Sequence, residues 1–109
     1  MAYDEGLATR LREAIGDEPG LVEKKMFGGV GFLIDGNMAV GIHGDDLIVR
    51  VGPEKYEAAL TRPHAREFDI TGRAMTGWVS VDAAGLEDDT AYEEWVHDGV
   101  AFARSLPAK

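Results

Sequence analysis

Three arginines and a histidine, Arg62, Arg66, Arg73 and His64, fall within residues 62–78, a stretch with neither helical nor strand-like period. A long polar loop carrying guanidinium groups either binds something or is pinned by side-chain bonds. The planar guanidinium fork matches carboxylates and phosphates. The functional reading is an anion- or partner-binding rim formed with Arg50 and Lys55. The competing reading is anchoring of the loop by internal carboxylates, with Asp69 a ready partner for Arg73. Trp78, at the end of the stretch, offers a flat face for stacking.

Other candidate chemistry is weaker. The two serines, Ser80 and Ser105, lie outside any Gly-x-Ser-x-Gly turn, and capping or solvent roles fit them better than nucleophilic catalysis. The histidines His43, His64 and His97 are scattered; His43 with Asp45 and Asp46 forms the best local trio. Acidic residues favour turns for conformational reasons, so no metal site is assigned. The run Met26-Phe27-Gly28-Gly29-Val30-Gly31-Phe32 lacks the Gly-Lys-Ser/Thr ending of a phosphate loop and leads into a strand rather than a helix. Its glycines are read as permitting a bulge or a close backbone approach. No catalytic constellation and no cofactor site emerges.

The elements that must position these residues follow from periodicity. Leu7, Leu11 and Ile15 share one helical face, so residues 4–15 are expected to form a helix capped by Asp4. Residues 21–26, 30–34, 38–43 and 47–51 read as four short strands. Asp35-Gly36 suits a type I′ hairpin turn, and Gly44-Asp45 one of the II′ kind. Alternation places Val30, Phe32 and Ile34 on one side, faced by Met38, Val40 and Ile42 and then by Leu47, Val49 and Val51. Leu33, Ala39 and Ile48 make the other side partly apolar as well. A sheet apolar on both sides needs two covers, and this chain has few helices, which hints at self-association.

A short helix is expected at 53–60, with Pro53 in its first turn, followed by a polar loop at 61–76. A fifth strand at 77–82 places Val79 and Val81 on one face and Trp78 and Ser80 on the other. The last helix carries Tyr92, Trp95, Val96, Gly99, Phe102, Ala103 and Leu106 at helical spacing; Asp88 or Asp89 begins it and Pro107 stops it. The resulting order is one helix, four strands, a helix, one or two strands, a helix. That is a two-layer α+β domain with a mainly antiparallel sheet, spanning residues 1–109 as one domain.

Composition limits the function classes. Twenty acidic residues against eleven basic ones give a net charge of −9, and residues 82–98 hold seven of the acids with no Lys or Arg. Bulk acidity argues against non-specific binding to phosphate backbones. A nucleic-acid surface would have to be local, built from Lys24, Lys25, Arg50, Arg66 and Arg73 with Trp78. The absence of cysteine excludes disulfides and thiolate metal sites. No apolar run approaches the roughly 20 residues of a membrane span, and the acidic opening Met1-Ala2-Tyr3-Asp4-Glu5 does not read as a secretory signal. A cytoplasmic protein is expected.

Several motifs are together distinctive. Lys25-Met26-Phe27-Gly28-Gly29, then Gly31-Phe32 and Asp35-Gly36-Asn37-Met38, resembles the opening of the TfoX N-terminal domain family. Gly44-Asp45-Asp46-Leu47-Ile48-Val49-Arg50 is similar to its next strand. Gly72-Arg73-Ala74-Met75-Thr76-Gly77-Trp78 resembles the segment before its last strand, with Ala74 where proline is usual. Ala101-Phe102-Ala103-Arg104-Ser105-Leu106-Pro107 is similar to the ending of short, stand-alone bacterial members. The family takes its name from a regulator of DNA-uptake competence. The resemblance implies a secretion-chaperone-like α+β fold, usually self-associating, and no established catalytic residues. It therefore implies a protein–protein interaction module in regulation, expected as a homodimer with an unknown protein partner. The alternatives are a nucleic-acid-binding accessory protein and a small-ligand site using His64 and Arg66. The candidate contact residues are Lys25, Phe27, Arg50, His64, Arg66, Arg73 and Trp78.

Overall fold

The computed structural model describes residues 3–26, 28–69 and 72–109. Helix α1, Glu5–Ile15, starts where expected: the Asp4 carboxylate accepts from the Gly6 and Leu7 N–H groups at 2.8 and 3.3 Å. Those amides have no partner within the helix, so the cap satisfies them. Leu7, Ala8, Leu11 and Ile15 form its buried stripe. Gly16 then takes a positive φ of 61°, which ends the helix at low steric cost.

Strands β1 (Leu21–Met26), β2 (Gly29–Ile34), β3 (Asn37–His43) and β4 (Asp46–Arg50) form an antiparallel meander. Asp35 and Gly36 both adopt positive φ, 51° and 87°, as the I′ turn requires. Helix α2 is shorter than expected, Tyr56–Leu60, because residues 53–55 form a turn and Lys55 supplies no side-chain cap.

The polar loop expected at 61–76 is corrected in part: Ala65–Asp69 is a strand, β5, and β6 (Ala74–Val81) begins earlier than 77. Only Phe68 is buried in β5, and its register slips between Glu67 and Asp69, so no period-two signal survives in the sequence. Asp82 caps a 3-10 turn at Ala83–Leu86, and α3, Asp89–Ser105, follows behind Asp88. No helix among the described residues is long and apolar enough to cross a membrane.

The strand order is β1-β2-β3-β4-β6-β5, all neighbours antiparallel. Registered rows make the core face: Val30, Ile42, Leu47 and Val81 across the sheet, then Phe32, Val40, Val49 and Val79. All three helices bury side chains against it, among them Leu11, Tyr56 and Trp95. Burying each such side chain contributes about 1.5–3 kcal/mol. Helix α3 lies close because of Gly99, where an added Cβ would sit 2.5 Å from the Ala39 carbonyl oxygen.

One facing assignment changes. The register between β2 and β3 shifts at Phe32/Leu33, so Met38 pairs with Leu33, and Ala39 packs beside Ile34 and Ala103 on the helix side. Strict alternation had put Met38 with the core and Ala39 opposite; a bulge exchanges them.

The chain's last residues are tied back. Arg104 donates to Glu18 Oε1 at 2.8 Å, to Asp35 Oδ2 at 3.1 Å and to the Pro19 carbonyl. The buried Asn37 amide donates to the Pro107 carbonyl at 2.9 Å.

Candidate functional site

Because every helix among the described residues packs on one side, no helix covers the other side of the sheet. Its rows carry Val22, Lys24 and Met26 of β1, Leu33 of β2, Met38 and His43 of β3, Asp46, Ile48 and Arg50 of β4, Trp78 and Ser80 of β6, and Arg66 of β5. Gly31 and Gly41 lie side by side in its middle and carry no side chain to rise from the sheet. Met38 spreads into that space. An added Cβ on Gly41 would come within 2.5 Å of Met38 Cε, and one on Gly31 within 3.1 Å of Met26 Cε. At one margin Phe68 stands edge-on to His43, with centroids 6.2 Å apart, and lies 6.5 Å from Trp78. Both spacings are ordinary for aromatic pairs.

The result is a concave trough of about 580 Å³. Met26, Met38, Ile48, Phe68, Ala74, Met75 and Trp78 line it, and it also borders Val30 and Ile42, which stand in the core-face rows. Among the described residues its ionisable groups are His43 and Arg73. The volume falls in the range of ligand pockets, which are mostly apolar with a few convergent polar groups. Ile48 is 2% exposed although no helix covers it; its neighbours in the trough do that.

The seven candidate contact residues are dispersed. Arg73 and Trp78 line the trough. Arg50 lies beside it, its guanidinium 5.1 Å from the Trp78 ring and 5.3 Å from Phe102. His64 and Arg66 form a separate group: His64 Nδ1 is 3.2 Å from Asp82, and Arg66 reaches Asp46 at 2.5 Å and Asp82 at 3.8 Å. Lys25 is exposed on edge strand β1, on the side that carries the helices. Phe27 lies outside the described residues.

The two readings of the arginine-bearing segment divide between its arginines. Arg62 is an anchor, bonded to Asp98 at 2.7 Å and stacked 3.4 Å from the Trp95 ring centroid. Arg66 is held as described above. Arg73 has no carboxylate within ion-pair distance among the described residues. Asp69, its expected partner, instead accepts from the Gly72 N–H at 2.6 Å.

Ser80 donates to Asp46 at 3.4 Å, and Ser105 to the Phe102 carbonyl at 2.6 Å. Among the described residues no three His, Asp or Glu side chains converge as metal ligands. Met26, Met38, Phe68 and Met75 were not singled out as site residues from sequence. Nor is Ile48 a site residue in that reading, which names it only as surplus apolar surface on the second face.

No curated protein and no solved structure matches the chain. The family model described as the TfoX N-terminal domain matches residues 13–103. That range takes in all six strands and nearly all of α3. It contains every residue of the trough, and on that match the chain belongs to the TfoX N-terminal domain family.

Proposed function

We propose that this chain is a small non-enzymatic interaction module in gene regulation of the competence type, acting in the cytoplasm, and that its working surface is the open side of its sheet. The observation that carries the reading is the unequal covering of one sheet: three helices bury one side, while over the trough of mostly half-buried methionine and aromatic side chains on the other no helix lies among the described residues. Apolar surface left uncovered marks an interaction site. Membership of the TfoX N-terminal domain family supports the regulatory setting. Nucleic-acid binding is the weaker reading. Arg66 is already held by Asp46 and Asp82, and Arg50 lies against Trp78 and Phe102.

Self-association is proposed alongside it, through a contact other than two troughs face to face, and native mass spectrometry at low micromolar concentration is expected to report a dimer. The working surface is tested in the protein's own host with Met38→Glu, which puts a charge on the trough floor without touching the helix side. Transcript profiles of the variant strain are expected to match those of a deletion strain, while the purified variant keeps the wild-type melting profile. A folded variant with wild-type transcripts would remove the trough from the function.

A further inference from the structure

The trough has a shape, a softness and a charge, and together they select an occupant. Shape argues against a second copy seated face to face. A two-fold contact places the same patch on both partners. Two concave troughs set together would enclose twice the volume of one, and packed protein interfaces do not carry voids of that size. Something convex must fill it.

Softness describes that object. Met26, Met38 and Met75 are unbranched and polarizable, and such side chains conform to an apolar body rather than impose a rigid outline. Gly31 and Gly41 keep the floor low.

Charge sets its head group. The chain has 20 acidic residues, yet none lines the trough. The acids beside it already have partners: Asp69 accepts from the Gly72 N–H, and Asp46, on the same face, accepts from Arg66 and Ser80. Arg73, with no ion-pair partner among the described residues, therefore brings a positive charge to an apolar cavity, and His43 is its second polar group. One guanidinium fork matches one carboxylate in bidentate fashion.

We propose that the trough is a binding site for a small amphipathic carboxylate of the medium-chain fatty-acid class, its chain on Met26, Met38, Ile48 and Phe68 and its carboxylate against Arg73. The inference rests on reading the open side of the sheet as the working surface, and it names a ligand for that surface.

The test uses the full chain titrated with sodium decanoate below its micelle concentration, followed by calorimetry and by backbone amide shifts. Decan-1-ol serves as the neutral probe, and Arg73→Gln and Met38→Glu as variants. Decanoate is expected to bind with shifts centred on the trough, and decanol at least about tenfold more weakly, as befits loss of a charged hydrogen bond. Arg73→Gln should weaken decanoate by about the same factor and leave decanol unchanged; Met38→Glu should abolish both. Arg73 lies on an exposed segment outside the core, so its replacement leaves the fold intact. The proposal is overturned by equal affinity for decanoate and decanol, by an Arg73→Gln variant that binds like wild type, or by folded protein that binds no decanoate. If decanoate fails while Met38→Glu still copies the deletion transcripts, the ligand is refuted and the interaction surface stands.

Discussion

On the helix side of the sheet, Phe32, Val40, Leu47, Val49, Val79 and Val81 are each 0% exposed; on the other side Val22 is 56% and Met75 38% exposed. The same strands supply both surfaces, and the open side of β2, β3 and β4 still carries apolar Leu33, Met38 and Ile48. Alternation therefore does not decide which side is finished. The supply of helices decides it: α1 and α3 lie on one side, tied down by Arg10 on Tyr92 at 4.0 Å and by Arg12 on Glu23. The covered side is filled with branched and aromatic residues of fixed shape, while the open side relies on methionines that lie flat over glycines. Rigid packing suits a core, and adaptable packing suits a surface whose contents change.

The contrast can be broken by measurement. The largest effect is expected from Phe32→Ala, which should cost about 3–5 kcal/mol in urea unfolding, whereas Met75→Ala should stay within about 0.5 kcal/mol. Similar losses for both would mean that the two sides are packed alike. Next comes Gly99→Ala. Its Cβ would press on the Ala39 carbonyl and lift α3, at about 1–3 kcal/mol; an unchanged melting temperature would show that the helix does not need that close approach.

A pH experiment isolates the helix layer. Tyr92 is buried, its hydroxyl lacks a hydrogen-bond partner among the described residues, and burial pushes its pKa up to about 12, with the nearby Arg10 charge opposing. A tyrosine raised in the folded state stabilises fully below its unfolded value, about pH 10. That contribution is lost as pH rises through the folded value. Stability should thus fall from about pH 10 by at most about 1.4 kcal/mol per pH unit for this group. Tyr92→Phe should flatten that limb and, by removing an unsatisfied hydroxyl, leave neutral-pH stability unchanged or slightly higher. An equally steep alkaline limb in the variant would assign the effect elsewhere.

The smallest effect is expected at the surface tie between α1 and β1. The hydrogen bond from Arg12 holds the Glu23 carboxyl below the ordinary carboxylate range. Its stabilisation is present above the unfolded carboxylate value and lost as pH falls through the lowered one. Because the pair is well solvated, Glu23→Gln should cost no more than about 1 kcal/mol; a larger loss would make β1 a dependent of α1.

Much of the fold was legible because local rules governed it. The Asp4 cap, the Asp35-Gly36 turn and the stripe Tyr92, Trp95, Val96, Gly99 each act over a few residues. The faces of Val79 and Trp78 followed from alternation in a regular strand. Three things escaped because they depend on distant partners. Strand β5 is held mainly by β6, with one buried side chain and a slipped register. The exchange of Met38 and Ala39 follows from a bulge at Phe32/Leu33 that no residue type announces. At the site, the surplus apolar side was visible in Leu33 and Ile48, but not which arginine was uncommitted. Arg62, Arg66 and Arg73 look alike in sequence; carboxylates 36 and 20 positions away settle the first two.

The position of α3 in chain order sets a problem of timing. A ribosome delivers the six strands before it delivers the long helix that closes their core side, and of the helices only α1 and the short α2 are made beforehand. During that interval the sheet has two sticky surfaces instead of one, and nascent chains on neighbouring ribosomes present the same pair. Arg104, reaching back to Glu18, Pro19 and Asp35, acts as a latch that closes last. Quality control by chaperones is therefore needed most in the last moments of synthesis, when nearly every strand is made and half the cover is still to come.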